Sequence, residues 1–107
     1  MIVYGIPTCD TVKKAIAALT AAGHDVSFRD VRATPLTPAE RAEFLAAFGE
    51  KVVNRASTTW RTLSEEDRAQ DPDALLAAHH ALMKRPVIRA GDALHLGWAK
   101  PVQAALL

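Results

Sequence analysis

Cysteine is nearly absent from this chain: Cys9 is the single thiol in 107 residues. One thiol cannot close an internal disulfide, so no disulfide framework holds the fold, and the expectation is a cytoplasmic protein. Any redox cycle must draw its second thiol from another molecule. An excess of one charge sign is also lacking, since thirteen basic residues stand against twelve acidic ones for a formal net charge of +1. That near balance offers no global attraction to nucleic acid or to an anionic membrane, and neither is expected as a direct partner. No apolar run approaches the length of a membrane span, and the chain opens on a strand rather than on a charged region and signal core. Internal repeats and long linkers are missing too. Half of the residues are apolar, which suits one domain over 1–107 built around one core.

The elements that are present alternate in type. Ile2-Val3-Tyr4 reads as a buried strand that ends at Gly5. Val12, Ile16, Leu19 and Ala22 then recur at helical spacing, and Gly23 is a natural stop. Val26 and Phe28 alternate with Ser27 and Arg29, predicting a second strand over roughly 25–31. A strand, helix and strand with a short return imply a parallel pair joined by a right-handed crossover. The middle is helical. Thr37-Pro38-Ala39-Glu40 combines an N-cap, a proline at the first helical position and a glutamate three residues after the cap. Ser64-Glu65-Glu66-Asp67 opens a second helix, and Asp71-Pro72 a third that runs to about Met83. Between the first two, Asn54 to Arg61 has no clear period and reads as a polar loop. Pro86 to Arg89 and Leu94 to Leu96 flank the turn Ala90-Gly91-Asp92 as a hairpin, and a short helix follows Lys100-Pro101.

Cys9 falls where the first strand hands over to the first helix. A side chain there faces unpaired N–H groups and the positive end of the helix dipole, which favour thiolate over thiol. Thiolate is the nucleophilic form, so the position predicts a reactive cysteine rather than the small buried hydrophobe that free cysteine often is. Asp10 beside it opposes that charge unless it points to solvent. Lys13, one turn on, reads either as a cation for the thiolate or as part of a solvated helix face.

Two cysteine chemistries are excluded by single residues. The partner position of a Cys-x-x-Cys motif is Val12, which removes dithiol exchange within the chain. A Cys-x5-Arg phosphate loop needs arginine at residue 15, which is alanine. Metal binding is not expected either: His79 and His80 diverge by about 100° on a helix, His24 and His95 are isolated, and no His/Cys spacing suits zinc.

Three stretches carry a resemblance that spans the chain: Tyr4-Gly5-Ile6-Pro7-Thr8-Cys9-Asp10-Thr11-Val12-Lys13-Lys14-Ala15, then Asn54-Arg55 with Thr58-Thr59-Trp60-Arg61, then Lys84-Arg85-Pro86-Val87. With Gly97-Trp98 after the hairpin, they resemble the ArsC-like family of thioredoxin-fold proteins, which includes arsenate reductases and Spx-like proteins. The likeness is greatest to a small arsenate-reductase-related branch with a single cysteine. It implies an α/β thioredoxin-like fold with a four-stranded mixed sheet and a helical insertion, roughly 37–83, between the second and third strands. It also implies a cis Pro86 packed beside the cysteine.

The resemblance further implies a site. Cys9 is the nucleophile, and Arg85 and Arg55 stabilise an anion, a task suited to the planar guanidinium. Lys13, Arg61 and Pro86 are candidates for substrate binding. Other readings stand beside these: Arg85 as a cap on the preceding helix, Arg55 as a solvated loop residue, and Trp60-Arg61 as a stacked cation–aromatic pair. Arsenate reductases complete their clamp with a further arginine after the hairpin, where this chain reads Leu94-His95-Leu96-Gly97-Trp98. One cation fewer disfavours the arsenate oxyanion, whereas glutathione, with two carboxylates, suits the remaining arginines. The expectation is a monomeric glutathione-dependent thiol oxidoreductase with no bound cofactor, glutathione as co-substrate and glutaredoxin as recycling partner. The alternatives are an RNA-polymerase-binding regulator of the Spx-like type without a redox switch, and a non-catalytic remnant of the fold.

Overall fold

The computed structural model describes residues 1–107, which form four strands and six α-helices. In chain order these are β1 (Ile2–Gly5), α1 (Asp10–Ala21), β2 (Ser27–Asp30), α2 (Pro38–Phe48), α3 (Thr58–Thr62), α4 (Glu65–Arg68), α5 (Pro72–Ala78), β3 (Val87–Ala90), β4 (Ala93–Leu96) and α6 (Lys100–Leu106). Short 3-10 turns occupy Gly49–Val52 and His80–Leu82. The chain divides into two units. One comprises Met1–Thr34 and Arg85–Leu107, the other Pro35–Lys84.

The first unit is built on a mixed sheet in the order β2-β1-β3-β4. β1 pairs with β2 in parallel and with β3 antiparallel, and β3 pairs antiparallel with β4. This is the thioredoxin-like arrangement expected. Alternation along the strands puts Val3 and Ile88 in register on one face, where they meet Val12 and Leu19 of α1 and Leu106 of α6. All five are buried, and Cys9, Ile16, Trp98 and Val102 pack against them. Tyr4, on the opposite face, is also buried, and its hydroxyl accepts from Arg89 Nε at 3.3 Å. β2 is shorter than the predicted 25–31. His24 lies in the turn between α1 and β2, where its N–H bonds back to Leu19 O (3.1 Å), and Gly23 before it takes φ +92°. Its Nε2 donates to the Leu106 carbonyl at 2.7 Å, satisfying an oxygen that the last turn of α6 leaves without an intrahelical donor.

In the second unit, the motif at Thr37 forms as read. Thr37 Oγ1 accepts from Glu40 N–H (3.2 Å), and Glu40 Oε1 accepts from Thr37 N–H (2.8 Å). α2 packs on α5, and Arg41 Nε meets Asp73 Oδ1 at 2.8 Å. Phe44, Val52, Leu75, Leu82 and Met83 are buried. Two expectations fail here. The helix opened by Asp71-Pro72 stops at Ala78 instead of running to Met83, because His79 leaves helical space (φ −135°, ψ 89°). The chain beyond it pairs with 52–54: Asn54 N–H bonds Leu82 O and Lys84 N–H bonds Val52 O, each at 2.7 Å, around a Val53–Met83 bridge. Those bonds take the place of a longer helix. The second failure is the polar loop 54–61: from Thr58 the chain is helical as α3, capped by Ser57 Oγ accepting from Trp60 N–H at 3.1 Å.

Candidate active site

Cys9 is the N-cap residue of α1, with extended backbone (φ −83°, ψ 118°) and no capping hydrogen bond from its side chain. Its N–H donates to Ile6 O (3.3 Å), closing the turn that leaves β1, and its carbonyl accepts the first helical bond, from Lys13 N–H (3.1 Å). The N–H groups of Asp10, Thr11 and Val12 therefore have no intrahelical carbonyl, as at any helix start. The thiol is half-buried against the first unit's apolar core, while Asp10 and Lys13 are exposed.

Gly5 sets how closely this turn approaches the helix. A Cβ at residue 5 would lie 2.6 Å from Val12 Cγ2, and Val12 is fully buried and β-branched, so it cannot swing away. The strand can hand over to α1 this tightly only without a side chain there.

The sheet brings a second segment to the same end. β1 and β3 are antiparallel with Tyr4 opposite Val87, so the carboxyl end of β1, from which the Cys9 turn departs, adjoins the amino end of β3. Pro86 stands at that end, buried, and the Arg85–Pro86 bond is cis. Gly97, at φ +81° after β4, donates to Pro86 O at 2.8 Å and extends the ladder past the named strands. Arg85 is half-buried, and its guanidinium has no hydrogen-bond or ion-pair partner, so it does not cap the turn before it.

Arg55 and Arg61 belong to the second unit. Asn54 shapes the turn before α3, its Oδ1 accepting from Ala56 N–H at 3.1 Å. Arg55 Cζ lies 5.2 Å from the Trp60 ring centroid, and its Nη2 reaches Glu50 Oε1 at 3.5 Å. The second cation over Trp60 is Arg68, at 5.6 Å. Arg61 is exposed, and the Trp60-Arg61 stack read from adjacency is not what forms. Neither Gly5 nor Arg68 stands out in the sequence reading. Gly5 shows as the end of an apolar run and as one residue of the stretch around Cys9, and no motif in the sequence includes Arg68.

Residues 4–103 match the ArsC family. The chain belongs to the ArsC family. Among relatives of this ArsC-family chain, an uncharacterized protein of Haemophilus influenzae is 37% identical, with 96% of each chain covered. Of solved structures, the YFFB (PA3664) protein superposes with a TM-score of 0.89 at 33% identity, covering 99% of this chain and 97% of its own. An arsenate reductase (ArsC) related protein from Brucella melitensis gives 0.75 at 34% identity, covering 97% and 91%.

Proposed function

We propose that this ArsC-family protein is a glutathione-dependent thiol oxidoreductase of the arsenate-reductase type, with Cys9 as its nucleophile and Arg85 and Arg55 as its anion ligands. The observation that carries the reading is the placement of Cys9. Cys9 caps α1 through its main chain alone, leaving Sγ free of a capping bond, at the end of the sheet where the unpartnered Arg85 precedes cis-Pro86. The relative from Brucella melitensis described as arsenate reductase related adds support.

In this reading the Cys9 thiolate attacks one sulfur of an oxidised substrate disulfide; that S–S bond breaks, a Cys9–substrate mixed disulfide forms, and the other half of the substrate leaves as thiolate. A glutathione thiolate attacks the Cys9 sulfur, releasing the second half of the substrate as thiolate and leaving a Cys9–glutathione mixed disulfide. A second glutathione thiolate, or a glutaredoxin, then attacks the glutathione sulfur and returns Cys9 to its reduced state, so that the substrate has gained two electrons and two glutathione thiols have supplied them. Glutathione disulfide reaches the same Cys9–glutathione adduct in one step and serves as a probe of it. Arg85 and Arg55 pair with carboxylates of the tripeptide or with the anionic group of an oxyanion substrate.

Mass spectrometry after incubation with glutathione disulfide tests this. A single adduct is expected on Cys9, absent in Cys9→Ser, and formed roughly ten- to a hundredfold more slowly in Arg85→Ala, the factor that loss of a charge-assisted hydrogen bond implies. No adduct under conditions that modify free cysteine overturns the reading. Recovery of RNA polymerase subunits by the bound protein, with no adduct, favours the regulator instead.

A further inference from the structure

A ligand role for Arg55 requires that a long side chain, 45% exposed, be held in one rotamer. Its contact with Glu50 restrains it little, because both partners are exposed and the separation is 3.5 Å. The Trp60 ring is the more specific support, and Trp60 sits on α3, a helix of five residues that has little stability alone. What holds α3 is therefore what holds Arg55. Ser57 secures its first turn. At its other end, Arg68 Nε donates to Trp60 O and Arg68 Nη2 donates to Arg61 O, both at 3.1 Å. The same guanidinium lies over the Trp60 ring. Arg68 is in turn fixed by α4, where its N–H bonds Ser64 O at 3.0 Å and Ser64 Oγ caps Asp67 N–H at 3.1 Å. One planar fork thus grips two carbonyls of α3 and lies over the same ring that carries Arg55. An ammonium offers neither the fork nor the plane.

We propose that Arg68 is a positioning residue: by fixing Trp60 it holds the Arg55 guanidinium ready for an anion. This rests on the reading of Arg55 as an anion ligand, and it can fail separately from it. The experiment uses the full chain as Arg68→Ala, Arg68→Lys, Arg55→Ala and the Arg55→Ala/Arg68→Ala double variant. One measurement is the NMR shift of the Arg55 side-chain protons, which the Trp60 ring current displaces. The other is the rate of Cys9 adduct formation against glutathione disulfide concentration.

Both Arg68 variants are expected to move the Arg55 protons toward unstructured values. They should raise the half-saturating concentration roughly three- to tenfold, the loss of an ordered charged contact, with less than about a twofold change in maximal rate. The double variant should be no worse than Arg55→Ala alone, because both changes remove the same contact. Unmoved Arg55 protons in a folded Arg68 variant overturn the proposal, as do effects that multiply in the double variant. Arg68→Lys decides the matter where Arg68→Ala does not fold. If the Arg55 protons move while Arg55→Ala leaves saturation unchanged, the ligand role of Arg55 falls and the positioning by Arg68 stands.

Discussion

At the scale of single residues, the candidate site depends on one side chain that is missing and one that makes no cap. Gly5 has to be glycine because the strand passes so close to Val12. Gly5→Ala forces a buried, β-branched neighbour off its rotamer, and overpacking of that kind costs about 1–3 kcal/mol. Urea denaturation should show the loss as a lower midpoint at unchanged slope; an unchanged midpoint would show that the turn tolerates the methyl group. Cys9 was legible because the change from a strand pattern to a helical one locates a helix start, and a helix start has orphan donors whatever surrounds it. The partner of Trp60 was not legible. Adjacent residues on a helix point about 100° apart, so Arg61 cannot lie over the ring, and the cations that do come from positions 55 and 68. Sequence neighbours suggested a pair that helix geometry forbids.

At the scale of elements, local chemistry decides where helices begin more surely than where they stop. The reciprocal bonds between Thr37 and Glu40 were readable from four residues, since a capping box is closed within one turn. Thr37→Ala should destabilise the protein by about 1 kcal/mol. Faster amide exchange in the first turn of α2, with α1 unaffected, is the expected signature. Ser57 had the same meaning for α3, yet five residues are too few to show a helical period, so the segment passed for a loop. The end of α5 lay beyond any local signal. Leu82 continues the apolar stripe, but the bonds from Asn54 and Lys84 draw 79–84 out of the helix. The competitor is some thirty residues away along the chain, and the pattern of 72–83 holds no trace of it.

At the scale of the whole molecule, the ladder order joins segments that are remote in sequence. Leu19 is fully buried between Val3, Ile88 and Leu106, contributed by two strands and the final helix. Leu19→Ala is expected to cost about 2–5 kcal/mol, the range for emptying a packed leucine site, measured as the loss in unfolding free energy. The bond from His24 to Leu106 spans 82 positions and ties the turn after α1 to the last turn of α6. His24→Ala should cost about 0.5–1.5 kcal/mol. Hydrogen exchange should accelerate in α6 before it does in β1 or β3, and uniform acceleration would show that the bond does not act locally.

The sequence by itself determined the lone thiol, its place at a helix start, the absence of a dithiol or phosphate-loop motif, and the cap and turn residues that delimit most elements. These follow from interactions that close within a few residues, so the residues that make them are neighbours in the chain. Only the tertiary structure decided that β1 lies between β2 and β3, that Arg85 and cis-Pro86 reach the end of the sheet from which Cys9 departs, and that Arg68 rather than Arg61 accompanies Arg55 on Trp60. Each of these depends on register and packing between segments far apart in the chain, where the free energy comes from burial and from ladder bonds that no short window of sequence contains.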